Sequence, residues 1–366
     1  MMEEKSVRRL AAAGAVLGLL LMLAGALLIK LSSLSALPDH ALLRGVLAGR
    51  KVILILGAAL TGASVYAGNI AVQGRRRLSG FFPYLLILPA MIFLVLFVLY
   101  PILNVIYMSF FKGSVLNPTK SFVGLKNYMA LANKSAFIIS VRNTFFYAVF
   151  FVSLVVLFAL LMAVWLFDDR KLNKFAQTAI FTPHLIATVS CAFIWRWIMD
   201  FNDYGLLNTV LGIFGVAPVP WLESSKTAMW AIIIMNVWKN IGYYALILIA
   251  AMKSIPAEIY EAAILDNASR TKRFFRITLP MISPQLFVTL ILLTIGSFNV
   301  FDSVNAMTQG GPGSSTEVIA RFIYLFAFGN ANSLGQGCAA AVFLMSIQLV
   351  LTAAYFRLLA RRVHYQ

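Results

Sequence analysis

The side chains in this sequence that could do chemistry are few, and most of them lie inside long apolar runs. Lys239 stands beside Asn240 in the run 227–250, with Asn236, Tyr243 and Tyr244 at helical spacing around it. A lysine at mid-bilayer costs about 2.5–3.5 kcal/mol on insertion scales, so it must meet a wet cavity, a carboxylate or carbonyl oxygens. Asn299 and Asp302, three residues apart in the run 285–307, share a helix face. Asp302 is therefore a candidate ion-pair partner for Lys239. Amides, phenols and one ion pair can hydrogen-bond a polar solute in transit, and the same groups can clamp helices together. Catalysis is not indicated. His40, His184 and His364 are scattered, and no acid–base pair or nucleophile constellation accompanies them. Cys191 and Cys338 are far apart in apolar context, without metal-ligand spacing. No catalytic residue, metal site or cofactor is expected in this chain.

The elements that must position these groups are membrane helices. Of the 366 residues 61% are hydrophobic and 12% charged, where a soluble domain carries about 25% charged residues. Spans are expected at 10–30, 52–72, 83–110, 138–166, 176–199, 227–250, 285–307 and 337–358, each near the roughly 20 residues that cross a bilayer. They must be helices, because lipid offers the backbone no hydrogen-bond partner. The run Leu10–Ile29 follows Lys5, Arg8 and Arg9 as a signal peptide does, but its length is that of a full span, so it is expected to stay. The net charge of +17 is not a nucleic-acid signature, since the basic residues form short clusters between the spans. Clusters at Arg75–Arg77, at Arg170, Lys171 and Lys174, at Lys253–Arg276 and at Arg357–Arg362 fall on one side, which is cytoplasmic by the positive-inside rule. Arg44, Arg50 and Lys51 fall on the other side, against that rule. The fold class is thus an all-α membrane protein of about eight transmembrane helices with both termini cytoplasmic. Arg196, between Trp195 and Trp197, reads as a snorkelling side chain at the outer boundary.

The loop 252–284 differs from every other. Pro256 suits a first helical turn, and Glu258 and Glu261 suit the positive end of a helix dipole. Asn267 tolerates a left-handed turn, Ser269 can cap a second short helix, and Phe274, Phe275 and Ile277 give that helix an apolar face. The pattern is an amphipathic helix–turn–helix. It fits a hairpin lying on the membrane surface as well as a docking element for a soluble partner.

The order Glu261-Ala262-Ala263, Asp266-Asn267-Ala268-Ser269, Phe275, Ile277-Thr278-Leu279-Pro280 resembles the coupling loop of ABC importer permeases, with Asn267 where that family's pattern has glycine. Phe122–Tyr128, Gly205–Asn208, Trp221-Leu222, Phe301-Asp302 and Thr308–Pro312 with Thr316 extend the likeness over roughly residues 80–360, toward permeases of the maltose and glycerol-3-phosphate type. The resemblance implies a two-helix N-terminal extension at 1–80 and a type I importer core of six helices at 81–366. It also implies a bacterial plasma (inner) membrane location and a sugar or oligosaccharide cargo. Partners implied are a second permease subunit, two ABC ATPase subunits that bind ATP and Mg, and an extracellular solute-binding protein. Membrane lipid surrounds the chain, and nucleic acid has no part. Glu261, Ala262, Ala263, Asp266, Asn267 and Ala268 would couple to the ATPase, although Asp266 can also be read as a cap of the second helix. Asn236, Lys239, Asn240, Tyr243, Tyr244, Asn299 and Asp302 would line the solute path or clamp the two permeases. The sequence carries no Gly-x-x-x-x-Gly-Lys-Ser/Thr loop, so ATP would be hydrolysed by a partner. The alternatives are an ion-driven secondary transporter, with Asp302 as its one clear intramembrane carboxylate, and an importer permease for glycerol-3-phosphate or another polar solute, a phosphorylated one favouring Lys239 as its anion partner. A lipid-modifying membrane enzyme would need clustered catalytic groups that the sequence lacks.

Overall fold

A computed structural model describes residues 82–113, 121–202, 204–329 and 333–358. The expected spans 10–30 and 52–72, with Arg44, Arg50 and Lys51, and the distal Arg361 and Arg362 lie outside the described residues. The chain divides into two compact units, Met1–Asn104 and Val105–Gln366. Helix α1 (Phe82–Leu94) passes through a π turn at Val95–Leu99 into α2 (Tyr100–Met108). The two-residue strands β1 (Phe111–Lys112) and β2 (Ser121–Phe122) pair antiparallel, Phe111 opposite Phe122. Then follow α3 (Lys126–Ala132), α4 (Ser135–Trp165), α5 (Lys171–Leu185), α6 (Thr188–Ile198), α7 (Leu206–Ile213) and α8 (Ala228–Lys253). Helices α9 (Ala257–Leu265), α10 (Arg270–Arg273), a π turn at Phe274–Thr278, and α11 (Leu279–Met281) form a hairpin leading into α12 (Ser283–Phe298). The short α13 (Asp302–Met307) and α14 (Ile319–Tyr324) precede the last described helix, α15 (Leu334–Leu358).

Among the described residues four helices are long and apolar enough to cross a membrane, and six spans result if each bent pair counts as one. Protein buries 56% of the apolar stretch of α8, against 28% for α4 and 22% for α15. Helix α8 is therefore the axis of the second unit. One core cluster joins it to Tyr147, Phe151 and Val155 of α4 and to Cys191 and Ala192 of α6. Another joins Ala245, Leu248 and Ile249 to Ala159 and Ala163 of α4. Ala159, Ala163 and Ala245 let α4 and α8 approach closely, and helix association in lipid depends on such packing rather than on expulsion of water. Gly242 shows the limit of that closeness: a Cβ there would run into the backbone carbonyl of Ile180 on α5.

The structure departs from the sequence reading at two spans. The run expected as one helix at 176–199 is α5 and α6, broken at Ile186 and Ala187, with the two axes bent by 101°. Pro183 lies in the last turn of α5 and has no N–H to donate. Ile186 and Ala187 are then extended, with ψ of 138° and 135°. The run expected at 285–307 is helical only to Phe298, breaks through Asn299–Phe301, and resumes as α13. Non-helical backbone at membrane depth is tolerated only where protein buries it or where it lines a cavity.

Three of the sequence motifs are structural pins. Asn127 of α3 donates to the carbonyls of Ser109 at 2.7 Å and Phe111 at 3.0 Å, which fastens α3 to the chain where α2 passes into β1. Asn208 donates to the carbonyls of Asp200 and Val219, and its oxygen accepts the Trp221 indole at 3.1 Å. That bond gives Trp221 a specific partner within its own loop. After α13, Arg321 pairs with Glu317 and reaches Asn305 at 3.3 Å, while Gly310 adopts a φ of +82° with no room for a Cβ beside the ion pair.

Candidate functional site

The break at Asn299–Phe301, together with Thr188 just after the other break, lines one cavity of about 380 Å³. From α8 it is lined by Asn236, Asn240 and Tyr244, and from the end of α12 and the start of α13 by Asn299, Asp302 and Ser303. Tyr147 and Phe151 of α4 close it on another side, and Thr188 contributes from the first turn of α6. Five of the residues singled out for a solute path thus face one space. Tyr147, Thr188 and Ser303 were not singled out, although a polar residue inside an apolar run is itself a signal. Thr188 comes after the break, so its position depends on a bend that the run of apolar residues does not announce.

Local bonding holds the amides. Asn236 donates to the Ile232 carbonyl at 2.9 Å and to the Ser303 hydroxyl at 3.0 Å, tying α8 to α13. Asn240 donates to the Asn236 carbonyl at 2.7 Å, and Asn299 to the Ile295 carbonyl at 3.0 Å. Asn236 is thereby left with its oxygen to offer a solute, whereas Asn240 and Asn299 each keep one N–H beside the oxygen.

Lys239 and Tyr243 are placed elsewhere. Lys239 is buried, does not line the cavity, and donates from Nζ to the His184 carbonyl at 2.9 Å. The last carbonyls of a helix have no partner within it, and a cation there also meets the negative end of the helix dipole. Lys239 therefore caps α5 where the span breaks. Tyr243 stacks on the His184 ring with centroids 4.3 Å apart, and Gly242 admits the α5 backbone beside them. Among the described residues Lys239 and Asp302 form no ion pair.

The hairpin at 254–282 is built differently. Pro256 is the N-cap residue of α9, one position before the first helical turn. At the other end Ala268 N–H bonds to the Ala263 carbonyl and Asn267 N–H to the Ile264 carbonyl, each at 2.9 Å. With Asn267 at a φ of +52°, this is a Schellman closure. Asp266 is the C-cap, and Ser269 caps α10 through the Lys272 N–H at 3.3 Å. The inner face of α9 is anchored: Ile259 and Tyr260 pack on the core, Ala263 is buried, and the Tyr260 hydroxyl lies 3.0 Å from that of Thr278. The outer face exposes Glu261, Ala262, Asp266 and Asn267. It also exposes Ile264, Phe275 and Leu265, the last at 83%. Beside the hairpin, Asp169 of the α4–α5 loop accepts from Lys253 at 2.7 Å and lies 3.8 Å from Lys174. The hydrogen bond and charge of Lys253 hold the Asp169 carboxyl below the ordinary carboxylate range.

Broken spans around a polar cavity, together with an anchored hairpin at one end, define a multi-pass membrane protein of transport architecture. The chain belongs to the family of binding-protein-dependent transport system inner membrane components, whose model matches residues 155–365. It is 36% identical over 274 residues to the probable ABC transporter permease protein YurN of Bacillus subtilis, covering 74% of this chain and 93% of that one. It is 34% identical to the trehalose/maltose transport system permease protein MalF of Thermococcus litoralis, covering 75% and 92%. It is 31% identical to the sn-glycerol-3-phosphate transport system permease protein UgpA of Pectobacterium atrosepticum, covering 79% and 97%. Its fold matches a chain in the crystal structure of a bacterial ABC transporter that imports the acidic polysaccharide alginate, with a TM-score of 0.68 at 24% identity, covering 78% and 97%.

Proposed function

We propose that this chain forms half of the translocation path of an ATP-driven importer for a sugar or oligosaccharide. An extracellular binding protein delivers the cargo, a second permease completes the path, and two ABC ATPase subunits bind and hydrolyse ATP with Mg. The supporting observation is the hairpin at 254–282, whose inner face is held in the core while Leu265, Ile264 and Phe275 stand exposed beside Glu261 and Ala262. A short helix with a bare apolar tip fits a groove on a soluble partner. Because α9 is packed on the base of α8, movement of a docked ATPase is passed to the helix that lines the cavity. Alternating access then follows as a shift between two states that ATP binding weights differently. In this reading Asn236, Asn240, Tyr244, Asn299 and Asp302 meet the cargo, and the two spans expected within 1–80 precede the importer core.

The test is co-purification of the tagged chain from its host in detergent or nanodiscs, with ATPase activity measured in the same sample. Expected is recovery of a second permease and an ATPase with the wild type. Leu265→Glu should lower ATPase recovery at least tenfold, and Glu261→Ala should uncouple ATP hydrolysis from transport. A chain that purifies alone and moves solute under an ion gradient without ATP returns the secondary-transporter reading. Names among the relatives include both trehalose/maltose and sn-glycerol-3-phosphate systems, so the cargo class is a separate question.

A further inference from the structure

We infer that the cavity takes an uncharged polyhydroxylated solute, and that Asp302 is the side chain of this subunit that turns anionic congeners away. The inference rests on the importer reading above and goes further, to the charge of the cargo.

Among the described residues lining the cavity, the charged group is the carboxylate of Asp302. It is exposed and has no hydrogen bond or ion pair among the described residues. The lysine that composition offers as an anion partner is not available for that role. Lys239 Nζ is buried and bonded to the His184 carbonyl, outside the lining. The amides add no charge to balance it: Asn240 and Asn299 each keep one N–H and an oxygen beside the hydroxyls of Thr188 and Tyr244. Asn236 uses both of its N–H bonds, on the Ile232 carbonyl and the Ser303 hydroxyl, and can present a solute only with its oxygen. Asn299 has already used one N–H on the Ile295 carbonyl. A carboxylate and amide oxygens need O–H donors, which a polyol supplies on every carbon. A phosphate or carboxylate brings a like charge to Asp302 with no cation in the described lining to offset it, and like charges a few ångströms apart repel. Tyr244, half-buried at the lining, adds an aromatic ring to the wall. The volume of about 380 Å³ falls at the small end of ligand pockets.

The test uses the complete transporter with its own binding protein in proteoliposomes. The probes are radiolabelled uncharged sugars and polyols, trehalose and maltose included, set against sn-glycerol 3-phosphate, sugar phosphates and uronates. Expected is ATP-dependent uptake of at least one uncharged probe, with every anionic probe at least tenfold slower. Asp302→Asn should raise the ratio of anionic to uncharged uptake at least threefold, while Asp302→Glu, which keeps the charge, should preserve the wild-type ratio. The binding protein is the same in all three samples, so a change in ratio belongs to the cavity. The inference is overturned if an anionic probe is taken up as fast as every uncharged one, if no uncharged probe is taken up, or if Asp302→Asn leaves the ratio unmoved. If Asp302→Asn does not assemble, the wild-type ratio decides. Loss of ATP dependence for all probes, with no ATPase co-purifying, instead breaks the importer reading beneath it.

Discussion

Lys239 and Leu265 lie on consecutive helices, and each is out of place by composition. Lys239 is a charge within a span, and it is buried with its ammonium on the His184 carbonyl. Leu265 is apolar on a polar hairpin, and it is 83% exposed. In lipid a polar group must be answered by another part of the protein, so its presence in a span shows first that a partner exists. At a water-facing surface an exposed apolar side chain has no such local answer, and a cluster of them marks a place where something else binds. The polar residues of α8 accordingly divide in two. Lys239 and Tyr243 hold the bend of the neighbouring span, whereas Asn236, Asn240 and Tyr244 face the cavity.

The division can be broken most sharply at Gly242. Gly242→Leu places a side chain where the Ile180 carbonyl already stands. Forced overpacking costs about 1–3 kcal/mol, and more when backbone must move. The expected outcome is near-complete loss of folded protein, read as yield of monodisperse material by size-exclusion chromatography.

Lys239→Met comes next. It leaves the His184 carbonyl without its partner, and an unsatisfied buried acceptor costs about 1–3 kcal/mol. A lower melting temperature in detergent is expected, with partial recovery in Lys239→Arg. Equal stability in Lys239→Met would falsify the capping role and return Lys239 to the list of solute-path residues.

A smaller effect tests the hairpin. Asn267 closes α9 with a φ of +52°, a conformation that costs an ordinary L-residue about 1–2 kcal/mol. Asn267→Val should destabilise the hairpin by about that amount, seen as faster amide exchange in 257–268 while exchange in α8 stays constant. Asn267→Gly should be tolerated.

The smallest expected effect is a pH dependence at Asp169. Its folded pKa is lowered, first by the hydrogen bond from Lys253. The contribution is therefore present above the ordinary carboxylate value and is lost as pH falls through the lowered one. The melting-temperature gap between wild type and Asp169→Asn should be widest near neutral pH and should close as pH falls below the ordinary carboxylate range. A gap independent of pH would mean that Asp169 acts by packing alone.

Much of this was legible in the chain. Apolar length located five of the six described spans to within a few residues, because lipid requires long runs and penalises interruptions, while the run 285–307 overshoots the end of α12 at Phe298. Asn267 and Ser269 announced the turn and cap of the hairpin, since those side chains act on their own backbone neighbours. The breaks at 186–187 and 299–301 were not legible. Ile186, Ala187, Val300 and Phe301 are as apolar as a continuous helix would need, Asn299 reads equally as a polar residue on a helix face, and Pro183 lies within α5 rather than at the gap.

By itself, then, the sequence determined that the chain is a membrane helix bundle, where most spans begin and end, and that 252–284 is a separate amphipathic hairpin. Each of these depends on neighbours along the chain or on transfer between water and lipid, which are local quantities. Only the tertiary structure decided which polar residues share the cavity and which hold it open. That choice depends on the direction a bent helix takes and on how closely Gly242 lets α5 approach α8. Contacts between residues distant in sequence set both, and no pattern along the chain records them.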